Sequence, residues 1–241
     1  MKTKNNIGLG TAAIGRPLYI NVNQEVNVAP FSLSKFKEKG LQVLEVAYNR
    51  DVRHFDTSPG YGIAEALMVG WLKEKNDLSI QVSTKWGYTY VANFDPNAKE
   101  HEVKEHSLAN LNKQWEFSQQ LLPYLKVYQI HSATFDSGVL ENLEVLKRLQ
   151  ELKKEHKLTI GLTTTGDNQA DVLEKALAIQ IEGETLFQSF QCTFNILDQS
   201  ISKYNDALKK LSGPLIIKEA LANGRLIPTN SFPNYSNLYN Y

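Results

Sequence analysis

The sequence predicts an α/β fold in which parallel strands and helices alternate around a barrel, and three observations carry that expectation. Short apolar runs bounded by turn residues recur seven times along the 241 residues. Segments with helical apolar spacing separate them, which is the pattern of βα units feeding a parallel sheet. No Gly-rich strand-to-helix turn of a dinucleotide-binding fold follows the first run, and the length is close to the roughly 250 residues typical of a (β/α) barrel.

The seven runs lie at 7–13, 53–58, 79–85, 126–132, 159–165, 189–195 and 214–220, each short and rich in β-branched or aromatic residues. Helices are expected at 33–48, 63–74, 100–121, 139–156, 170–181 and 200–211. In the fourth of these, Val139, Leu143, Leu146, Leu149 and Leu152 recur at three- and four-residue steps and leave charges on the other face. That spacing predicts one stripe packed on the barrel; the run is too short for the sustained heptads of a coiled coil. The count stops one βα unit short of eight. After Ala220 the chain runs through LANGRLIPTNSFPNYSNLYNY, which has neither strand nor helix period. The expected organisation is therefore an incomplete barrel over 1–226 and an irregular Asn-, Tyr- and Pro-rich tail over 227–241.

Composition narrows the function classes. With 42% hydrophobic and 22% charged residues the chain has enough apolar material for one buried core. Its 26 basic and 26 acidic residues cancel, so no global field would draw nucleic acid or an anionic membrane, and a small, weakly charged partner fits better. Cys192 is the single cysteine, which excludes an internal disulfide and a cysteine-based metal cluster; a small buried hydrophobe is its ordinary role. No stretch approaches the roughly 18 apolar residues of a membrane span, and the glycine-interrupted start closed by Arg16 is no signal peptide. A cytoplasmic protein is expected.

In a barrel, polar residues that close apolar runs converge at the C-terminal face of the strands. Asp56 closes the second run, Lys85 the third and His131 the fourth, at spacings of 29 and 46 residues that correspond to successive βα units. Tyr61 follows in the loop SPGYG, whose glycines permit a tight turn back over the barrel mouth. Each residue alone has an ordinary structural reading: a helix cap, a solvated strand end, a core histidine, a packing aromatic. Their order at successive strand ends is harder to explain structurally. A phenol has a reference pKa near 10 and donates a proton poorly at neutral pH unless a neighbouring cation stabilises its phenolate. Lys85 supplies such a cation, Asp56 would hold it protonated and oriented, and His131 would hydrogen-bond a substrate oxygen.

The segment HFDTSPGYGIAE resembles the aldo-keto reductase family, in which Asp-Thr is followed by Tyr-Gly and a helix-opening acidic residue. GLGT at 8–11, STKW at 83–86, YQIH at 128–131, QCTFN at 191–195 and KEALANGRL at 218–226 are similar to successive segments of that family, so the likeness runs over about residues 7 to 226. The resemblance implies a TIM barrel, NADPH (or NADH) bound extended, and reversible hydride transfer between nicotinamide and the carbonyl carbon of an aldehyde, ketone or sugar. Tyr61 would be the general acid, Lys85 and Asp56 its tuners and His131 the orienter. Gly10 and Thr11 would lie beneath the nicotinamide. Gln191, with Thr163 and Thr164 where the family has a Ser-Asn pair, would hold its carboxamide, and Lys218 stands where many relatives place a stacking aromatic. Trp86 and Tyr88, with Tyr90, are candidates to line a substrate pocket or merely to cap the rim.

The missing eighth unit is the departure that bears on function, because in the family it carries the basic residues that hold the adenosine phosphate. It leaves open a fragment or a short form, a homo-oligomer or partner covering the exposed sheet edges, and two other functions. These are a cofactor-independent dehydratase, isomerase or lyase, and a non-catalytic cofactor-sensing subunit.

Overall fold

A computed structural model describes residues 6–17, 31–95 and 97–227. Along the chain the elements are β1 (Gly8–Gly10), α1 (Ala12–Gly15), α2 (Leu33–Asn49), β2 (His54–Asp56), α3 (Ala64–Lys75), β3 (Gln81–Trp86), β4 (Tyr88–Tyr90) and β5 (Glu102–Lys104). They continue with α4 (Leu108–Ser118), β6 (Leu125–Ile130), α5 (Leu143–His156), β7 (Thr159–Thr163), α6 (Gln169–Leu177), β8 (Gln180–Ile181), β9 (Glu184–Thr185), β10 (Ser189–Thr193), α7 (Asn205–Leu208) and β11 (Leu215–Lys218).

Seven strands form one parallel sheet in the order β1-β2-β3-β6-β7-β10-β11, each the strand of one expected run. The sheet curls as a (β/α) barrel wall with helices packed outside it. Among the described residues β1 and β11 are its terminal strands. The tail expected at 227–241 lies, apart from Ile227, outside the described residues. No described helix is long and apolar enough to cross a membrane.

Helices cover the outer face of the central strands while the inner face turns to the barrel interior, so apolar Phe55, Val82 and Phe190 alternate with His54, Ser83 and Gln191. Phe55, Trp86, Tyr128, Ile160, Phe190 and Cys192 are fully buried among the helices. The α5 stripe differs by one residue from expectation. Asn142 caps the helix, its side chain accepting from the Val145 amide, so the helix starts at Leu143 rather than Val139. Leu143 is consequently 53% exposed, and Val145 joins Leu146, Leu149 and Leu152 on the buried face.

Two hairpins replace expected helix. The segment expected to be helical over 100–121 begins as β5, antiparallel to β4, and turns helical only after Ser107, whose hydroxyl accepts from the Asn110 amide. Expected helix over 170–181 ends at Leu177 because Glu182 and Gly183, at φ 54° and 78°, make the tight turn of the β8–β9 hairpin. The segment expected over 200–211 is a 3-10 turn, Ser200–Tyr204, followed by the short α7.

Candidate active site

Side chains alternate across a strand, and three neighbouring barrel strands aim theirs at one point. Asp56 is the last residue of β2, Lys85 the penultimate residue of β3, and His131 follows β6 directly. Lys85 is fully buried; its ammonium pairs with Asp56 Oδ2 and donates to the Thr57 carbonyl at 3.0 Å. The other Asp56 oxygen accepts from Ser83 Oγ at 2.7 Å and from Gln191 Nε2 at 3.1 Å, so both lone-pair directions of that oxygen are committed.

Tyr61 comes from the β2–α3 loop and is folded back as its glycine-flanked turn allows. Gly62 sits at φ 63°, and a Cβ there would lie 2.3 Å from the Gly15 carbonyl oxygen, so only glycine fits. Lys85 Nζ lies 4.8 Å from the Tyr61 ring centroid, and the Tyr61 and His131 rings meet edge-on at 5.5 Å. Tyr88 packs on the other side of His131 at 4.7 Å. Ser58 Oγ lies 3.2 Å from His131 Nδ1 and already accepts from the Gly60 amide, which leaves its own hydrogen for the ring nitrogen.

The electrostatics follow from burial. Burial is the largest influence on Lys85 and opposes its charge, but Asp56 and Tyr61 outweigh it and hold the ammonium above its ordinary pKa. For Tyr61 burial pushes the phenol up and Lys85 pulls it down; burial wins, so the tuning expected from Lys85 acts in the expected direction without setting the net sign. Burial, with Lys85, His106, Arg16 and Lys218 around it, holds His131 well below the usual imidazole range, so its ring is neutral.

A cavity of about 1210 Å³ opens onto these groups and runs the length of the barrel interior. Gly10, Tyr61, Tyr88, His131, Thr163, Gln191 and Lys218 all line it. Lys85, Tyr90, Trp86, Thr164 and Thr11 do not. Trp86 is fully buried against His106, with ring centroids 5.4 Å apart, because it follows the inward-facing Lys85 and must point to the helices. Thr164 follows Thr163 and turns outward in the same way, donating to Gln169 Oε1 at 3.1 Å. Thr11 is fully buried and donates to the Asp56 carbonyl at 2.9 Å, fastening β1 to β2. Lys218 donates to Thr193 Oγ1 at 3.0 Å and pairs with Glu219 at 3.1 Å.

Residues outside the expected set also converge here. Ser83 and His54 stand two positions before Lys85 and Asp56 and therefore share their inward face; strand alternation is the signal that would have found them. Arg16, 4% exposed, pairs with Glu102 at 2.5 Å and lies over the Tyr61 ring at 5.5 Å; no sequence pattern links those two residues.

Residues 6–237 match the family model described as Aldo/keto reductase family. No curated protein sequence matches the chain. Among solved structures, two from Pseudomonas aeruginosa assigned to the aldo-keto reductases align with TM-scores of 0.65 and 0.63 at 22% and 20% identity, covering 90% and 96% of this chain and 74% and 77% of theirs. The glycerol dehydrogenase of Gluconobacter oxydans aligns with a TM-score of 0.65 at 21% identity, over 92% of this chain and 62% of its own. These structural likenesses establish a shared barrel fold. With a family model matched over nearly the whole chain, the protein belongs to the aldo/keto reductase family of NAD(P)H-dependent oxidoreductases.

Proposed function

We propose that this chain reduces a carbonyl compound, an aldehyde, ketone or sugar, and oxidises the corresponding alcohol or lactol in reverse, with NADPH, or alternatively NADH, as the hydride source. The observation that supports it is the fully buried Lys85, paired to Asp56 and directed at Tyr61, with a neutral His131 against the same phenol.

Tyr61 holds its proton at neutral pH as any phenol does, burial raises its pKa further, and the proton is given up only as negative charge develops on the carbonyl oxygen. Lys85 then stabilises the phenolate that remains. His131, with Nδ1 occupied by the Ser58 hydroxyl, presents Nε2–H to the same oxygen and fixes its direction. Tyr88 supplies an apolar wall beside the histidine.

The cavity suits a nicotinamide cofactor. Its volume exceeds the roughly 300–1,000 Å³ of ordinary small-molecule sites, which leaves room for substrate as well. At Gly10 a Cβ would meet nothing within 4 Å, so a bare stretch of β1 faces open space where a flat ring can lie. Gln191 and Thr163 offer amide and hydroxyl partners, and Lys218 a cationic edge. When bound, the nicotinamide supplies the hydride.

Fluorescence titration with NADPH and NADH, followed by turnover on an aldehyde panel, tests the reading. Tyr61→Phe should retain cofactor affinity and lose about 10²- to 10⁴-fold in kcat. Cofactor-free turnover of a carbonyl compound that Tyr61→Phe abolishes would replace the reduction with an acid–base elimination or isomerisation.

A further inference from the structure

The charged pair has polar neighbours on its far side that the reduction does not itself require. His54 Nε2 lies 3.2 Å from Ser83 Oγ, which donates to Asp56 Oδ1 at 2.7 Å; Asp56 Oδ2 holds the Lys85 ammonium, and Lys85 faces Tyr61. Barrel interiors are ordinarily filled by bulky branched residues at these positions. His54 is half-buried, and with Asp51, Arg53, Ser79 and Gln81 it lines the part of the cavity at the N-terminal end of the strands, opposite Tyr61 and His131. On the β1 side Gly8 makes room for the ring: a Cβ there would come within 3.1 Å of the His54 Cδ2.

We propose that His54 and Ser83 form the outer part of a hydrogen-bonded chain that replaces the Tyr61 proton from the N-terminal end of the barrel, behind the substrate. The inference rests on the carbonyl reduction proposed above.

The proton balance is as follows. Tyr61 O–H breaks as its hydrogen bonds to the carbonyl oxygen, and a Lys85 N–H breaks as the phenol O–H reforms. Asp56 Oδ1 takes the Ser83 hydroxyl proton, and a half-turn about the Asp56 Cβ–Cγ bond brings that O–H to the Lys85 amine, which takes its proton and leaves the carboxylate restored. Ser83 takes the Nε2 proton of His54, whose Nδ1 takes one from water. No electrons move along the chain, and alcohol oxidation runs it in reverse. A neutral imidazole accepts on one ring nitrogen while releasing from the other, with no turn of the side chain. Burial, aided by Lys85 and opposed by Asp56, lowers the pKa of His54 and keeps it in that form. Asp51 and Arg53 are the remaining charged groups on the same stretch of the cavity.

His54→Gln is the discriminating variant, since its amide N–H can still reach Ser83 but cannot pass a proton on. In a stopped-flow single turnover of the full chain with NADPH, an aldehyde and a pH indicator, proton uptake should keep pace with NADPH oxidation in the wild type. In His54→Gln it should lag at least tenfold, with the carbonyl KM unchanged and kcat of His54→Ala recovering in added imidazole. In the cofactor-free protein, ¹⁵N resonances of the His54 ring should shift on Ser83→Ala. Uptake in His54→Gln that matches the wild type, or a His54 ring indifferent to Ser83→Ala, overturns the relay. A wild type that binds no nicotinamide cofactor and reduces no aldehyde overturns the reduction instead, while the ring titration still reports on the chain.

Discussion

The β2–β3–β6 wall and the β11 edge belong to one sheet but are built differently. Five of the six β3 residues are buried, and the acid–base groups there are held by several partners each: Lys85 by Asp56 and Thr57, Asp56 by Lys85, Ser83 and Gln191. On β11, Leu215 and Ile217 are 39% and 40% exposed, and Lys218 is held by Thr193 and its own neighbour Glu219. A proton donor works only within a few tenths of an ångström of its target, so its supports are redundant. The contrast locates rigidity where the proton is handled and leaves a more exposed strand where the resemblance placed a cofactor contact.

Breaking the charged pair should have the largest effect. Lys85→Met strands a mostly buried carboxylate and should cost about 3–5 kcal/mol in denaturant unfolding together with at least about a hundredfold in kcat. Adding Asp56→Asn should return most of the stability and none of the activity, because replacing both partners removes the uncompensated charge. Unfolding of the double variant at the same midpoint as Lys85→Met would mean that the pair is not what the wall depends on.

The packing contrast has its own test. Ile130→Ala, on β6 with no exposed surface, should cost about 2–5 kcal/mol, whereas Ile217→Ala on β11 should cost less than half as much. Equal losses would show that the β11 edge is covered as fully as the wall.

A smaller effect is pH-dependent. Glu65 on α3 accepts from Thr84 Oγ1 at 2.6 Å and Ser118 Oγ at 3.0 Å, and burial pushes its carboxyl up to about 7. The folded protein therefore holds this proton where the unfolded chain has released it. Its contribution to stability is fully present below the ordinary carboxylate pKa and declines as pH rises toward 7, with a total on the order of 3 kcal/mol. Glu65→Gln should flatten that part of the stability–pH curve; an unchanged slope would mean that Glu65 is already ionised at lower pH.

Much of this was legible in the chain. Seven apolar runs gave seven strands, and Asp56, Lys85 and His131, predicted at successive strand ends, do converge with Tyr61. The hairpins at 88–104 and 180–185 were missed because strands of two or three residues are shorter than any reliable period, and Glu182 is not one of the residues that ordinarily open such a turn.

What the sequence determined by itself was order: which residues end which strands, and that a phenol, an ammonium, a carboxylate and an imidazole meet at one end of a barrel. Only the tertiary structure decided which of two adjacent residues faces inward, Lys85 or Trp86, Thr163 or Thr164. The same packing set the sign of the shift on Tyr61. The reason is that alternation along a strand defines two faces but not which of them lines the barrel, so the inner one is fixed only once the helices have packed against the other.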